Sequence, residues 1–335
     1  VMYREKTKEG EIYGGPMYVI KNGLPKRMLP LAYFFALAGM IGCLPAFQSN
    51  QLIQITGDLA FSEVENFNIF GGLALAGITG IVVIGGLKRI AEVATFLVPL
   101  MGSIYFGAML IALILNLDQV FPAFKLILVD AFNGTAIAGG TFFGVLIYGV
   151  RRGAFSNEAG MGTESLVHGV AKVSDPVKQG LVAMTGPIFD TLIICTATAL
   201  MILISGVWET SASQGVTLTA EAFSMLLGNF GAFILFICVI CFGLSTIFTY
   251  SYYGASCSRF LFGKFGMKFY TYLYIFSIFI YSIVPIDIAI NIADGAFAMM
   301  AIPTLVSALW LAPKVMQASK NYFKLIDNHQ KNEIL

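Results

Sequence analysis

The stretch "CFGLSTIFTYSYYGAS", residues 241–256, gathers hydroxyls and aromatic rings inside an apolar run. At helical spacing Phe242, Ser245, Thr246, Thr249 and Tyr253 share one face, and Tyr250 follows Thr246 by four residues. Hydroxyl and carbonyl oxygens suit a hard cation such as sodium. The same hydroxyls can instead bond to carbonyls three or four residues back in their own helix, so the spacing alone leaves both uses open. A second stretch, "FNGTAIAGGTFFGVLIYGV" (132–150), carries Gly139 and Gly140 near its middle. Glycine costs a helix about 1 kcal/mol relative to alanine. The pair fits either a close-packing face of small residues or an unwound segment whose freed backbone lines a cavity.

A third stretch, "FSNEAGMGT" (155–163), follows Arg151 and Arg152 and is far more polar than its flanks. Ser156 or Asn157 fits a helix N-cap, and Glu158 fits the first, electropositive turn after it. That predicts a helix restarting at the edge of the apolar run. Two acids, Asp190 and Asp294, fall inside apolar runs with no obvious Lys or Arg partner within the membrane. Each reads as a functional carboxyl or as a neutral, hydrogen-bonded structural one. Gln48 and Asn50 close the first apolar run, where they either face a substrate or cap a helix into water. His168 and His329 stand far apart, and no nucleophile elbow, P-loop or metal-ligand spacing is present, so the sequence does not read as an enzyme.

The elements that must hold these groups follow from composition. Of 335 residues 57% are hydrophobic and 12% charged, against about 25% charged in soluble domains. A water-soluble fold cannot hide that much apolar surface, so the chain reads as an all-α polytopic membrane protein. The net charge of +1 gives no basis for nucleic-acid binding. Apolar windows of membrane-crossing length predict eight spans, near 29–49, 67–86, 91–116, 132–150, 178–206, 229–254, 267–284 and 285–316. Pro303 leaves the last open to being a broken helix or two short ones. With residues 1–28 inside and the sides alternating, only Lys125 of the 20 Lys and Arg falls in an outer loop. This positive-inside pattern supports the count. It divides the chain into a cytoplasmic loop (1–28), a transmembrane transporter domain (29–316) and a cytoplasmic tail (317–335).

"RRGAFSNEAGMGT" followed by "VSDPVKQGLVAMTGPIFDTLIICTATALMILISGVW" resembles the sodium:alanine/glycine symporters. The resemblance extends over nearly the whole chain, through "GGPMYVI" (14–20), "GCLPAFQSNQ" (42–51), "VVIGGLKRIAEV" (82–93), "LSTIFTYSYYG" (244–254) and "IADGAFAMMAIP" (292–303). It implies a LeuT-type fold of two inverted five-helix repeats with an extra helix before them, of which the eight spans are core helices three to ten. It also implies Na⁺-coupled symport of a small neutral amino acid, alanine or glycine, across the cell membrane by alternating access. On that pattern sodium is held by the Ser245 and Thr246 hydroxyls and the Phe242 carbonyl. The substrate sits by Gly139, Gly140 and Thr246, with Phe142 and Tyr250 limiting its size and Gln48 and Asn50 at the outer mouth.

Two departures from the family pattern stand out. Ser245 and Thr246 occupy a place of paired threonines, which keeps the hydroxyls. Tyr250 stands where the family carries Trp, which changes the size and polarity of the expected substrate wall. The extra helix and the first two core helices find no counterpart after Val1, so the resemblance implies an N-terminally truncated chain holding part of its site. Two alternatives remain: a proton-coupled amino-acid transporter using Asp190 or Asp294, and a non-transporting truncated membrane protein or channel. Oligomeric state is not legible.

Overall fold

The computed structural model describes residues 1–7, 10–132, 141–213 and 215–334. A two-residue hairpin, β1 (Glu5–Lys6) paired antiparallel with β2 (Ile12–Tyr13), opens the chain. Helices α1 (Pro16–Gly23), α2 (Leu29–Gly42), α3 (Ala46–Ala60), α4 (Phe67–Val83), α5 (Gly86–Leu115) and α6 (Leu117–Ala131) follow. Next come α7 (Thr141–Asn157), the short α8 (Glu164–His168) and α9 (Pro176–Pro187). A π-helical stretch, Ile188–Cys195, joins α9 to α10 (Thr196–Ser205). Then come α11 (Val207–Thr210), α12 (Val216–Leu227), α13 (Asn229–Ile283) and α14 (Ile286–Ile334).

Local chemistry explains several boundaries. Proline stands in the first turn of α1, α2 and α9, where its missing N–H is no loss. The Asp175 carboxylate caps α9 by accepting from the Val177 N–H at 2.7 Å. Pro45 ends the α2 trajectory and redirects the chain into α3. Helix α13 is interrupted at Gly263, whose φ of 67° is not helical, so its 55 residues form two helices end to end. By contrast α14 runs through Pro303 and Pro313 without interruption. The broken-helix option for the last span is therefore not the one taken. Residues 117–131, read from sequence as an outer connection, are helical and include Lys125.

Among the described residues, five helices are long and apolar enough to cross a membrane, and Phe67–Val83 and Val216–Leu227 are shorter apolar helices. The protein is a multi-pass, all-α membrane protein. Helix α13 is its centre: it packs against α2, α3, α4, α5 and α12, while α14 packs against α2 and α3. Tyr270 and Tyr274 are fully buried there. Their hydroxyls donate to the carbonyls of Met40 and Ile247, each at 2.7 Å, so neither polar end is left unpaired in the core. Large apolar side chains such as Phe70, Phe96, Leu115, Leu192 and Phe276 lie outward, as a hydrocarbon solvent requires.

The link between α7 and α8 turns on three residues of left-handed conformation. Glu158, Gly160 and Gly162 all have positive φ, at 55°, 82° and 93°. At Gly162 a Cβ would meet Thr304 Oγ1 at 2.5 Å and Pro16 Cγ at 2.6 Å, so both conformation and space demand glycine. Gly162→Ala is therefore expected to lower stability by about 1–3 kcal/mol. Gly77→Ala, in α4 with open space around it, serves as control. Thermal unfolding in detergent reads both; equal melting temperatures would show that the link tolerates a side chain.

Candidate functional site

A cavity of about 440 Å³ opens where α3, the end of α7, the start of α12 and the middle of α13 meet. That volume lies within the ~300–1,000 Å³ typical of small-molecule sites. Helix α3 contributes Phe47, Gln48, Gln51 and Leu52, and α13 contributes Val239, Phe242, Gly243, Thr246 and Tyr250. Both sets recur at helical spacing, so each is one face of its helix. Phe155 and Ser156 come from the last turn of α7, Glu158 from the turn after it, and Gly215, Val216 and Thr219 from the start of α12.

The α13 wall settles how its hydroxyls are used at rest. Ser245 Oγ and Thr246 Oγ1 both donate to the Phe242 carbonyl, each at 2.9 Å, and Thr249 Oγ1 donates to the Ser245 carbonyl at 2.9 Å. Each hydroxyl spends its proton but keeps acceptor lone pairs. Thr246 lines the cavity, whereas Ser245 does not and is buried, with Met101 Sδ at 3.8 Å. Tyr250 is 3% exposed and packs against Tyr253 and, edge-on, against Phe297.

The structure thus brings Gln48, Phe242, Thr246 and Tyr250 around one cavity. Asn50 is not among the residues lining it. Its amide donates to the carbonyls of Val284 at 2.7 Å and Tyr281 at 3.5 Å, closing the C-terminal end of α13. Gly139 and Gly140 lie outside the described residues, as does the side chain of Phe142.

The polar stretch 151–163 is placed differently from its sequence reading. Helix α7 continues through Arg151, Arg152, Ser156 and Asn157 instead of ending before them. Ser156 and Asn157 do not cap a new helix. Ser156 Oγ donates to Asp190 at 2.6 Å, Asn157 Nδ2 donates to Thr191 Oγ1 at 3.0 Å, and Asn157 Oδ1 accepts from the Ala159 N–H at 2.9 Å. The following helix starts at Glu164, and Glu158 turns toward the cavity. Arg152 pairs with Asp294 of α14 at 2.5 Å, with Arg151 at 4.0 Å from the same oxygen. Asp294, for which the sequence shows no obvious partner within the membrane, has a cation delivered from α7.

Sequence reasoning missed Phe47, Gln51, Phe155, Ser156 and Glu158 as cavity residues. The signal available was the polarity of 155–163 itself, read as a surface cap because a helix start and a cavity wall favour the same residue types.

The Sodium:alanine symporter family model matches residues 1–334. The chain is 36% identical to the uncharacterized transporter YflA of Bacillus subtilis, over 96% of this chain and 69% of that protein. It is 34% identical to the sodium/alanine symporter AgcS of Methanococcus maripaludis, over 99% and 74%. To the probable sodium/glutamine symporter GlnT of Bacillus subtilis it is 32% identical, over 96% and 66%.

The Arg152–Asp294 pair carries its own test. Asp294→Asn leaves a half-buried guanidinium unpaired, while Arg152→Gln with Asp294→Asn removes both charges. A double-mutant cycle on unfolding in detergent should give a coupling of about 0.5–3 kcal/mol. The double variant should be more stable than additivity allows, and strict additivity would show that the pair contributes nothing.

Proposed function

This chain belongs to the sodium:alanine symporter family, and from that premise we infer that it carries a small neutral amino acid, alanine or glycine, together with Na⁺ by alternating access. The observation that carries this reading is the meeting, in one cavity, of the α13 hydroxyl wall with the Gln48 and Gln51 amides and the Tyr250 ring. Such a cavity offers a hard cation oxygen ligands and a small zwitterion polar partners. Its aromatic lining, Phe47, Phe155, Phe242 and Tyr250, sets apolar surface beside those polar groups. Relatives named for alanine and for glutamine show that family membership alone does not choose the substrate. The smaller solute is favoured here by the description of the family itself.

In this reading Thr246 supplies a sodium ligand directly. Ser245 supplies a second, and the Phe242 carbonyl becomes a third when the hydroxyls turn away from it. Gly139, Gly140 and Phe142 complete the substrate side. Sodium that binds the substrate-competent state more tightly than its alternative raises substrate affinity by the same factor, which is coupling by linkage. We assign residues 29–316 to the membrane, as core helices three to ten of a LeuT-type arrangement, with 1–28 and 317–335 cytoplasmic in the cell membrane. The division of α13 at Gly263 supports two spans there, and the placement of Lys and Arg supports the orientation.

Uptake of labelled alanine and glycine into proteoliposomes tests this. An inward Na⁺ gradient should drive it and a K⁺ gradient should not; uptake that follows a pH gradient and ignores Na⁺ would favour proton coupling instead. Thr246→Ala should raise the Na⁺ concentration for half-maximal uptake about tenfold, the worth of one bond to a charged group. Ser245→Ala should raise it less. An unchanged Na⁺ dependence in both variants would remove the assignment. Tyr250→Ala should let leucine compete with alanine, since a vacated ring leaves space. Competition that stays as in the wild type would take Tyr250 out of the substrate wall.

A further inference from the structure

Among the described residues lining the cavity, Glu158 is the one with a formal charge. The surrounding groups offer it no cation. Tyr250 and Tyr253 approach from α13, Cys43 from the end of α2, Thr163 and Glu164 from its own side of the turn, and Asp190 from the π-helical stretch. All are neutral or anionic. Arg151 and Arg152 are close in sequence but engage Asp294, and no ion pair to Glu158 forms among the described residues. The turn nevertheless holds the carboxyl in place. Glu158 has a φ of 55°, a conformation that a non-glycine residue adopts at a cost, and the Asn157 side chain locks the next N–H. A carboxylate only accepts hydrogen bonds, and in a largely apolar cavity it is costly unless a positive charge joins it.

We propose that Glu158 is a cation-binding carboxylate of the cavity, taking a small hard monocation: the ammonium group of an amino acid or the coupling sodium. The proposal rests on the symport reading and adds to it the one group able to neutralise a ligand's positive charge. Both sources share the same chemistry, a compact monovalent cation met by carboxylate oxygen beside the Tyr250 hydroxyl. Glu158→Gln keeps the shape and removes the charge; Glu158→Asp keeps the charge.

Calorimetric titration of the full chain in detergent tests this, first with NaCl alone in a potassium background and then with L-alanine at saturating Na⁺. A lost charge-assisted contact should weaken binding at least about tenfold in Glu158→Gln, while Glu158→Asp retains most of it. Weakened binding of Na⁺ alone identifies sodium as the occupant. Weakened alanine binding with Na⁺ binding intact identifies the ammonium group. Wild type and Glu158→Gln binding both ligands equally would overturn the assignment and leave the symport reading standing; a wild type that binds neither would overturn both. Labelling of Glu158 in the wild type by dicyclohexylcarbodiimide, followed by peptide mass spectrometry, needs no variant. Na⁺ or alanine should slow the labelling, and a rate indifferent to both would overturn the assignment.

Discussion

Hydrocarbon offers no water to a polar group, so every donor, acceptor and charge placed among membrane helices must find its partner inside the protein. Residues 151–163 answer that demand. Arg152 reaches α14 through Asp294, and Ser156 and Asn157 reach the π-helical stretch through Asp190 and Thr191. The Met161 carbonyl accepts from Thr304 of α14 at 3.2 Å. Aromatic packing runs beside these polar ties, with the Phe155 ring edge-on to Phe47 of α3 and to Phe297 of α14. One short stretch thus fastens α7 to three neighbours.

The same stretch sets the shape of the cavity. Three positive-φ residues turn the chain back toward α1, where Gly162 fits against Pro16, Phe35 and Thr304. Gly14 and Gly169 meet backbone to backbone nearby, tying the N-terminal segment to the loop after α8. That N-terminal segment is held further by Arg4 to the Ala171 carbonyl at 2.9 Å and by Glu11 to Arg259 at 3.1 Å, with Arg259 lying over the Tyr13 ring. A movement of α7 therefore has to be shared with α14 and with the N-terminal cover. Such coupled packing is what an alternating-access cycle would act upon.

Much of this was legible from the residues. The class followed from composition, and part of the α13 wall followed from spacing: Phe242 and Thr246 of the expected face line the cavity with Tyr250, whereas Ser245, Thr249 and Tyr253 of that face do not. Less legible was anything decided across the chain. The partner of Asp294 could not be read locally because it sits 142 residues away on α7. Asn50 and Gln48 are two residues apart on a helix and so face different ways: one closes α13 and the other lines the cavity. Glu158 was read as a first-turn acid because local rules favour acids there, and its positive φ has no signature in a sequence that merely places glycines after it. Pro303 suggested a break, but α14 absorbs the proline within a continuous helix.

The central claim is that the cavity between α3, the end of α7 and α13 is where the transported solute rests. A structure determined with L-alanine and Na⁺ bound tests it most directly. The account predicts ligand density within hydrogen-bond reach of Gln48, Glu158 or Thr246 and in contact with the Tyr250 ring. Density seated instead in the apolar cleft lined by Val1, Pro16, His168 and Leu311, with the α3–α13 cavity empty, would contradict it.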